Sequence, residues 1–397
     1  MYEMYCRLYQ FFLRYATLFL PWRRPTRLDD YPALARLLLD KGIKSVLLVT
    51  DAGLTSLGLH VELMQVLEKN GIRCALYDKT LPNPTIDNVE EALLLYKKEG
   101  CAGLIALGGG SPMDCAKAVG ARVARPRTSL PKMRGEMKVF KKIPLLIAIP
   151  TTAGTGSETT VTAVVTDSTT HEKYPINDLV LIPYYALLDP RLTAGLPPAI
   201  TAGTGMDALC HAVEAYIGKS NTSQTRKDAL KATELIYANL LTAFADGQNL
   251  TARKNMQEAA FLAGAAFTRA YVGNIHAIAH TISGHYGTPH GWANAIIMPY
   301  VLEMYGNTAY QALSELAAAA GIADRGASDR ENARKFIASI REMNAKMGIP
   351  TTFPELQAKD IPTMIKRAMR EANPLYPVPV IFNRREMEKV YQQLLEA

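Results

Sequence analysis

The order of the predicted secondary structure constrains the fold of this chain more than any other feature. Between residues 28 and 190, short apolar runs rich in β-formers alternate with stretches of helical spacing. Two of these helical stretches, residues 57–70 and 85–99, end at Gly71 and Gly100. The predicted strands cover residues 45–50, 73–77, 103–107, 144–149 and 161–166. Such alternation predicts a parallel sheet covered by helices.

The pattern changes near residues 196–198, which read Leu-Pro-Pro. The following sequence contains long alanine-rich helical segments and no convincing strand. These segments cover residues 207–217, 225–245, 253–269, 308–320 and 329–347. We therefore expect an α/β domain over residues 28–196 and an all-helical domain over residues 197–397, since 397 residues suffice for two domains.

Residues 1–27 are predicted to form a separate aromatic, helical extension. Arg7 and Arg14 interrupt its apolar pattern, so a membrane-spanning helix is not expected. The segment also lacks the charged leader and small-residue cleavage site of a signal peptide. We favour packing of this helix on the rest of the chain or on a second subunit, with contact at a membrane surface as the less favoured alternative.

Charge and cysteine usage narrow the class of protein further. The net charge is +7, and residues 121–142 hold eight basic side chains against the single acidic Glu136. This segment contains one aromatic residue, which is too few for base stacking, so we predict a solvated loop and no nucleic-acid partner. The five cysteines are an odd number without a CxxC motif, which is typical of reduced thiols in a cytoplasmic protein.

Three consecutive glycines, residues 108–110, follow the predicted strand at 103–107. Glycines let phosphate oxygens approach backbone N–H groups, and the N-terminus of the next helix favours an anion. We predict that Ser111 is the N-cap, that Pro112 occupies the first turn, and that Asp114 completes a capping box. The alternative, an ordinary strand-to-helix turn, would need only one glycine.

Two other segments fit a dinucleotide site, although the chain lacks the usual GxGxxG motif at its first strand. Asp51 ends the predicted strand at 45–50, where a carboxylate can accept hydrogen bonds from ribose hydroxyls and repel a 2′-phosphate. This favours NAD over NADP, although Asp51 followed by Gly53 is also a common turn. Residues 151–158 form a second loop of small and hydroxyl side chains.

Four of the seven histidines lie within residues 276–290, in a stretch with little charge. Asp207 and His211 are four residues apart on a predicted helix, as are His276 and His280, so each pair lies on one helix face. Imidazoles together with one carboxylate indicate a divalent metal, and they suit zinc or ferrous iron better than magnesium or calcium.

Four ordered motifs resemble those of the iron-containing (group III) alcohol dehydrogenases. They are residues 108–117 (GGGSPMDCAK), 151–158 (TTAGTGSE), 205–214 (GMDALCHAVE) and 276–294 (HAIAHTISGHYGTPHGWAN). The resemblance runs from about residue 28 almost to the C-terminus. It implies a dinucleotide-binding parallel-sheet domain followed by an all-helical metal-binding domain, the architecture shared with dehydroquinate synthase.

The resemblance also assigns residues to roles. The metal ligands would be Asp207, His211, His276 and His290, holding Fe²⁺ or, as an alternative, Zn²⁺. His280 would be the catalytic histidine that does not bind the metal. The cofactor contacts would be Asp51, Asn83, Gly109, Gly110, Ser111, Asp114, Thr151, Thr152 and Lys173. His285 is an extra imidazole near this cluster, which could be an alternate ligand or a substrate contact.

The implied activity is transfer of a hydride between a small, primary alcohol or its aldehyde and NAD(H), with the metal polarising the substrate oxygen. Phe267, Tyr271 and Trp292 are candidate residues of an apolar pocket. A glycerol or polyol dehydrogenase of the same fold and a dehydroquinate synthase-like lyase are the alternatives; a metal-binding protein without catalysis is a weaker one. We expect a cytoplasmic homodimer or higher homo-oligomer.

Overall fold

A computed structural model describes residues 1–170 and 172–395. His171, a lone histidine for which the sequence indicates no part in a metal site, lies outside the described residues. The chain divides into two compact units. One is Pro21–Thr193, and the other combines Met1–Leu20 with Ala194–Ala397. The first is an α/β unit and the second is helical, so the predicted fold class is confirmed.

Two sheets form the α/β unit. Numbered along the chain, the strands are β1 (Thr26–Leu28), β2 (Ser45–Val49), β3 (Arg73–Tyr77), β4 (Gly103–Gly108), β5 (Gly135–Glu136), β6 (Leu145–Pro150), β7 (Thr162–Thr166), β8 (Lys173–Asn177) and β9 (Tyr185–Leu187). The large sheet is parallel, in the order β1-β9-β6-β4-β2-β3. The small sheet has the order β5-β8-β7. Both β2 and β4 are buried along their whole length, as strands covered by helices on two faces must be.

The helices of the α/β unit are α2 (Tyr31–Asp40), α3 (Ala52–Ser56), α4 (Val61–Lys69), α5 (Ile86–Lys98), α6 (Gly110–Ala124) and α7 (Leu130–Met133). The prediction of one helix over residues 57–70 was wrong at its start. The chain turns at Gly58, whose φ of +72° favours glycine, and α4 begins only at Val61. In contrast, α5 begins at the capping box that Thr85 and Asn88 form.

The start of α6 also differs from the prediction. Gly109, not Ser111, is the N-cap, and no side chain caps this helix. Three glycines let the chain enter the helix two residues early, because Gly108 has a φ of +155° and a Cβ there would lie 2.5 Å from Cγ of Pro112. Asp114 therefore forms no capping box with Ser111, and its carboxylate instead accepts a hydrogen bond from the Ser157 hydroxyl at 3.2 Å.

The basic segment 121–142 is not the solvated loop that its charge suggested. It contains the end of α6, the short α7 and strand β5. The Arg122 guanidinium lies 2.5 Å from the Glu90 carboxylate, and Arg125 donates to the carbonyl of Val139 at 2.6 Å. The first pairing ties the segment to α5, and the second joins two parts of the segment to each other.

The helical unit contains α1 (Tyr2–Leu18), α8 (Pro198–Ile217), α9 (Ser223–Ala245), α10 (Leu250–Ala270), α11 (Asn274–Tyr286), α12 (His290–Tyr305), α13 (Tyr310–Ala319), α14 (Asp329–Lys346), α15 (Ile361–Ala372) and α16 (Arg384–Leu395). No strand occurs among residues 194–395, in agreement with the sequence pattern. The charge-rich α15 and α16 were missed by the sequence analysis, which found no alanine-rich periodicity there.

The N-terminal helix α1 has an unusual distribution of polarity. Cys6 and Gln10 are buried and Arg7 is half-buried on the side that packs against the helical unit. Most of its large apolar side chains are exposed instead: Tyr2, Met4, Tyr5, Leu8, Tyr9, Phe11, Phe12 and Tyr15. The burial of Cys6 and Gln10 matches the interpretation that the helix packs on the rest of the chain. Among the described residues, no helix has the length and apolar character needed to cross a membrane.

Candidate functional site

Helix α8 carries three ionisable side chains on one face. Asp207, His211 and Glu214 follow each other at spacings of four and three residues, so they lie one above another, and all three are buried. Close packing of α12 against α8 depends on two glycines, because a Cβ on Gly291 would collide with the carbonyl oxygen of Gly203. This approach brings the first residue of α12, His290, to α8.

Three of the four predicted metal ligands have their donor atoms together. Oδ1 of Asp207 lies 3.5 Å from Nε2 of His290 and 3.8 Å from Nε2 of His276. All three donor atoms lie within 4.8 Å of one another. Burial lowers the pKa of His276 well below its usual value and that of His290 to about 4, so both imidazoles are neutral and able to bind a cation. This donor set fits zinc or ferrous iron.

The fourth predicted ligand, His211, is adjacent to this group without being part of it. Its ring stacks on that of His276 at 4.6 Å between centroids, and on that of Phe267 at 4.0 Å. The predicted pocket residue Phe267 thus contacts the predicted ligand His211. Trp292 instead donates from its indole nitrogen to the carbonyl of Ala199, and Tyr271 caps the C-terminus of α10.

Glu214, a carboxylate that the sequence analysis missed, contacts His276 at Nδ1, the ring nitrogen that does not face Asp207. Oε2 of Glu214 lies 2.6 Å from Nδ1 of His276, and the Glu214 carboxylate also accepts from the backbone N–H groups of Gly273 and Ile275 at 2.7 and 2.8 Å. Burial raises the pKa of Glu214 to about 7. Its position seven residues after Asp207 on the same helix was a signal that could have identified it.

Asn294 is the second residue that the sequence analysis missed. One turn after His290 on α12, its amide nitrogen lies 2.8 Å from Oδ1 of Asp207 and 3.1–3.2 Å from the Nε2 atoms of His290 and His276. The residue is fully buried. Its amide is therefore a fixed polar neighbour of all three clustered donor atoms.

His280 borders the cluster and has its own partners. Its ring stacks on His290 at 5.0 Å, and its Nδ1 lies 2.5 Å from Oε1 of Glu371, which also accepts from the hydroxyl of Tyr376 at 2.9 Å. Burial acts to lower the pKa of His280, but the nearby carboxylates, Glu371 foremost and then Asp207 and Glu214, together outweigh it, so that the pKa is raised. The side chain is 44% exposed. His285 belongs to a different pair, 3.5 Å from Asp360.

In the α/β unit, the predicted cofactor residues lie at the carboxyl ends of adjacent strands. Asp51 follows β2, Gly109 and Gly110 follow β4, and Thr151 and Thr152 follow β6. The chain runs from β2 to β3 on one side and returns to β4 on the other, so the strand order reverses between β2 and β4. Open parallel sheets bind ligands at such a switch point.

Side-chain contacts tie several of these residues together. Asp51 caps α3 by accepting from the backbone N–H of Leu54 at 3.0 Å. Asn83, with a φ of +57°, donates its backbone N–H to the Ser111 hydroxyl at 3.2 Å. Lys173 begins β8 and is exposed.

A buried lysine that had no assigned role connects the two predicted cofactor loops. Lys117 on α6 is 0% exposed and donates to the hydroxyls of Ser157 and Thr160 and to the carbonyls of Thr160 and Thr162, at 2.8–3.1 Å. Burial lowers its pKa to about 8. The lysine thereby joins the helix that follows the glycines to the end of the 151–158 loop.

Comparisons with known proteins agree with this arrangement. Residues 29–190 match the family model for iron-containing alcohol dehydrogenase, and residues 201–395 match the model for the C-terminal part of the Fe-containing alcohol dehydrogenase family. This chain belongs to the iron-containing alcohol dehydrogenase family. It is therefore an oxidoreductase that acts on an alcohol or an aldehyde, which confirms the predicted enzyme class; the lyase alternative is not favoured.

The family assignment covers nearly the whole chain. The 1,3-propanediol dehydrogenase of Klebsiella pneumoniae is 38% identical over 356 residues, which cover 89% of this chain and 92% of that protein. The NAD-dependent methanol dehydrogenase of Bacillus methanolicus is 37% identical, covering 83% of this chain and 87% of that protein. A crystal structure of a 1,3-propanediol oxidoreductase has a TM-score of 0.90 at 34% identity, covering 94% of this chain and 98% of that one.

Proposed function

We propose that this chain is a metal-dependent, NAD-dependent dehydrogenase of small primary alcohols that also reduces the corresponding aldehydes. The observation that carries the proposal is the group of neutral imidazoles and one carboxylate around Asp207, in a member of the iron-containing family. Asp207, His211, His276 and His290 would hold the metal, with Fe²⁺ favoured and Zn²⁺ as the alternative. Residues 28–196 would bind the dinucleotide, and residues 197–397 would bind the metal.

A divalent metal bound there supplies Lewis acidity for the substrate oxygen, and NAD supplies the hydride acceptor. The protein's own residues handle the proton. Glu371 accepts the Nδ1 hydrogen of His280, which leaves the Nε2 atom of His280 to take the proton of the alcohol. Because the His280 side chain is partly exposed, it can then release that proton to water.

In the α/β unit, Asp51 would accept hydrogen bonds from the ribose hydroxyls and disfavour the 2′-phosphate of NADP. Gly109, Gly110 and Ser111 would contact the pyrophosphate at the start of α6, where backbone N–H groups and the helix dipole favour an anion. Asn83, Asp114, Thr151, Thr152 and Lys173 complete the proposed contacts.

Two relatives are named for small primary alcohols, 1,3-propanediol and methanol, and this supports a substrate of that class. The five cysteines form no disulfide, which suits the proposed cytoplasmic location. We also propose a homo-oligomeric assembly. The polyol dehydrogenase alternative differs from this proposal only in substrate.

The test is the rate of NADH formation by the purified protein with methanol, ethanol, 1-propanol, 1,3-propanediol, 1,2-propanediol and glycerol. We expect the primary alcohols to give a higher kcat/KM than glycerol, and NAD a higher one than NADP. A preference for glycerol would favour the polyol alternative, and activity only with NADP would contradict the role of Asp51.

A further inference from the structure

The side of α1 that faces the helical unit is held by hydrogen bonds to one segment of backbone, residues 374–379. The two terminal nitrogens of Arg7 donate to successive carbonyls, that of Val378 at 2.7 Å and that of Pro379 at 2.8 Å. Each of these bonds has a charged donor, and charged donors make the stronger hydrogen bonds. Arg7 therefore fixes the end of the segment at two points.

Gln10, one turn later on α1, holds the beginning of the same segment. Its amide nitrogen donates to the carbonyl of Tyr376 at 2.7 Å and to that of Pro374 at 3.3 Å. Its amide oxygen accepts from Arg7 at 3.0 Å, so the two side chains act as one unit. Cys6 adds an apolar contact with Val378 in a small buried cluster.

The segment that α1 holds reaches the proposed catalytic histidine through two side chains. The hydroxyl of Tyr376 donates to Oε1 of Glu371 at 2.9 Å. The same carboxylate oxygen lies 2.5 Å from Nδ1 of His280. A continuous series of contacts therefore runs from Arg7 and Gln10, through Tyr376 and Glu371, to His280.

We propose that Arg7 and Gln10 are positioning residues for proton transfer: they hold residues 374–379 so that Tyr376 keeps Glu371 against His280. The proposal rests on the proposed role of His280. It also explains why the polar side of α1 is turned inward, since these side chains supply donors for four backbone carbonyls. Because α1 ends before residue 29, Arg7 and Gln10 lie outside the part of the chain that the family models match.

The first test compares Arg7→Met, which keeps the length of the side chain and removes its donors, with Leu8→Gln on the exposed side of α1. We expect Arg7→Met to lower kcat for alcohol oxidation roughly tenfold, less than the 10² or more that loss of a general acid–base group costs. The KM for NAD and the metal content should not change. Leu8→Gln should behave as the parent chain does, and Arg7→Lys should recover part of the loss.

A double-mutant cycle separates positioning from a general structural effect. In a Tyr376→Phe background the link to Glu371 is already broken, so Arg7→Met should change kcat less than twofold. A full tenfold loss in that background would overturn the proposal. If Arg7→Met fails to fold, Gln10→Met, which loses only the amide contacts, replaces it in the same cycle.

Hydrogen–deuterium exchange of peptides covering residues 371–380 gives a readout that is independent of turnover. We expect faster exchange in Arg7→Met and the parent rate in Leu8→Gln. Unchanged exchange would overturn the proposal, as would faster exchange with an unchanged kcat. Absence of turnover in the parent chain would contradict the proposed function, whereas loss of turnover in His280→Ala together with a normal kcat in Arg7→Met would contradict only this inference.

Discussion

The Glu214 carboxylate lies 2.6 Å from Nδ1 of His276 and is itself held by two backbone N–H groups. A carboxylate in this position accepts the Nδ1 hydrogen and leaves the lone pair on Nε2, the atom that faces Asp207. The tautomer and the ring orientation of His276 are thus determined by Glu214. Gly273 is required nearby, because a Cβ there would lie 2.7 Å from the carboxylate.

Glu214→Gln should therefore weaken metal binding without unfolding the helical unit. Glutamine keeps the shape of the side chain and one acceptor oxygen, so it loses one of the two acceptors for backbone N–H groups and not the packing. Loss of such a hydrogen bond to a ligand histidine costs roughly 10–100-fold in metal affinity. Competition for Zn²⁺ with a chromogenic chelator measures this, and Glu303→Gln, in an exposed ion pair on α12, is the control. Equal affinity in both variants would show that Glu214 does not orient His276.

Glu371→Gln should move the pH profile of alcohol oxidation. His280 must be neutral to accept a proton, and Glu371 raises its pKa, so the parent chain loses activity as the pH falls through this raised value. Without the carboxylate, partial burial acts to lower the pKa, and the acid limb of kcat should shift to lower pH. The profile of kcat between about pH 5 and pH 9 measures this shift. A shift in the opposite direction would contradict the assignment.

Asp51→Asn should relax the choice of cofactor while it preserves the local fold. Asparagine caps helices as well as aspartate does, so the hydrogen bond to Leu54 is retained and only the charge is lost. We expect the ratio of kcat/KM for NADP to that for NAD to rise about tenfold, which corresponds to about 1.4 kcal/mol. Asp51→Ala should in addition lose about 1 kcal/mol of stability with the cap. An unchanged ratio in Asp51→Asn would place the ribose elsewhere.

Lys117→Met should destabilise the α/β unit strongly. Methionine fills a similar volume but leaves Ser157 and Thr160 without their donor, and it removes the buried charge that faces the half-buried Asp114. Removal of one partner from a buried charged pair costs about 3–5 kcal/mol. Trp22 is the one tryptophan of this unit, so its fluorescence in a Trp292→Phe background follows urea unfolding of the unit. Exposed Lys132→Met is the control, and equal midpoints would contradict the argument.

The sequence predicted the fold class well because buried parallel strands and amphipathic helices have distinct periods. It predicted the start of α6 wrongly, because capping preferences placed the N-cap at Ser111, whereas the freedom of Gly108 and Gly109 lets the helix begin earlier. Gly58 had a similar effect before α4. Local rules therefore failed where glycine conformations decided the path of the chain.

In the candidate site, the sequence likewise predicted what depends on local spacing and not what depends on long-range packing. The Asp207–His211 and His276–His280 pairs were visible as helical spacings, and Glu214 could have been found by the same rule. Glu371 could not, because it lies 91 residues from His280 in sequence and meets it only through the packing of α15 on α11. The inward polar face of α1 depends equally on contacts with residues more than 360 positions away.

The proposed function requires metal-dependent turnover at the Asp207 cluster. The measurement is NADH absorbance with metal-stripped protein and a short primary alcohol, before and after restoration of Fe²⁺ or Zn²⁺, in the parent chain and in His276→Ala. We expect no NADH before restoration, recovery with one of the two metals in the parent chain, and no recovery in His276→Ala. Full activity of the stripped protein, or equal recovery in His276→Ala, would contradict the proposed function.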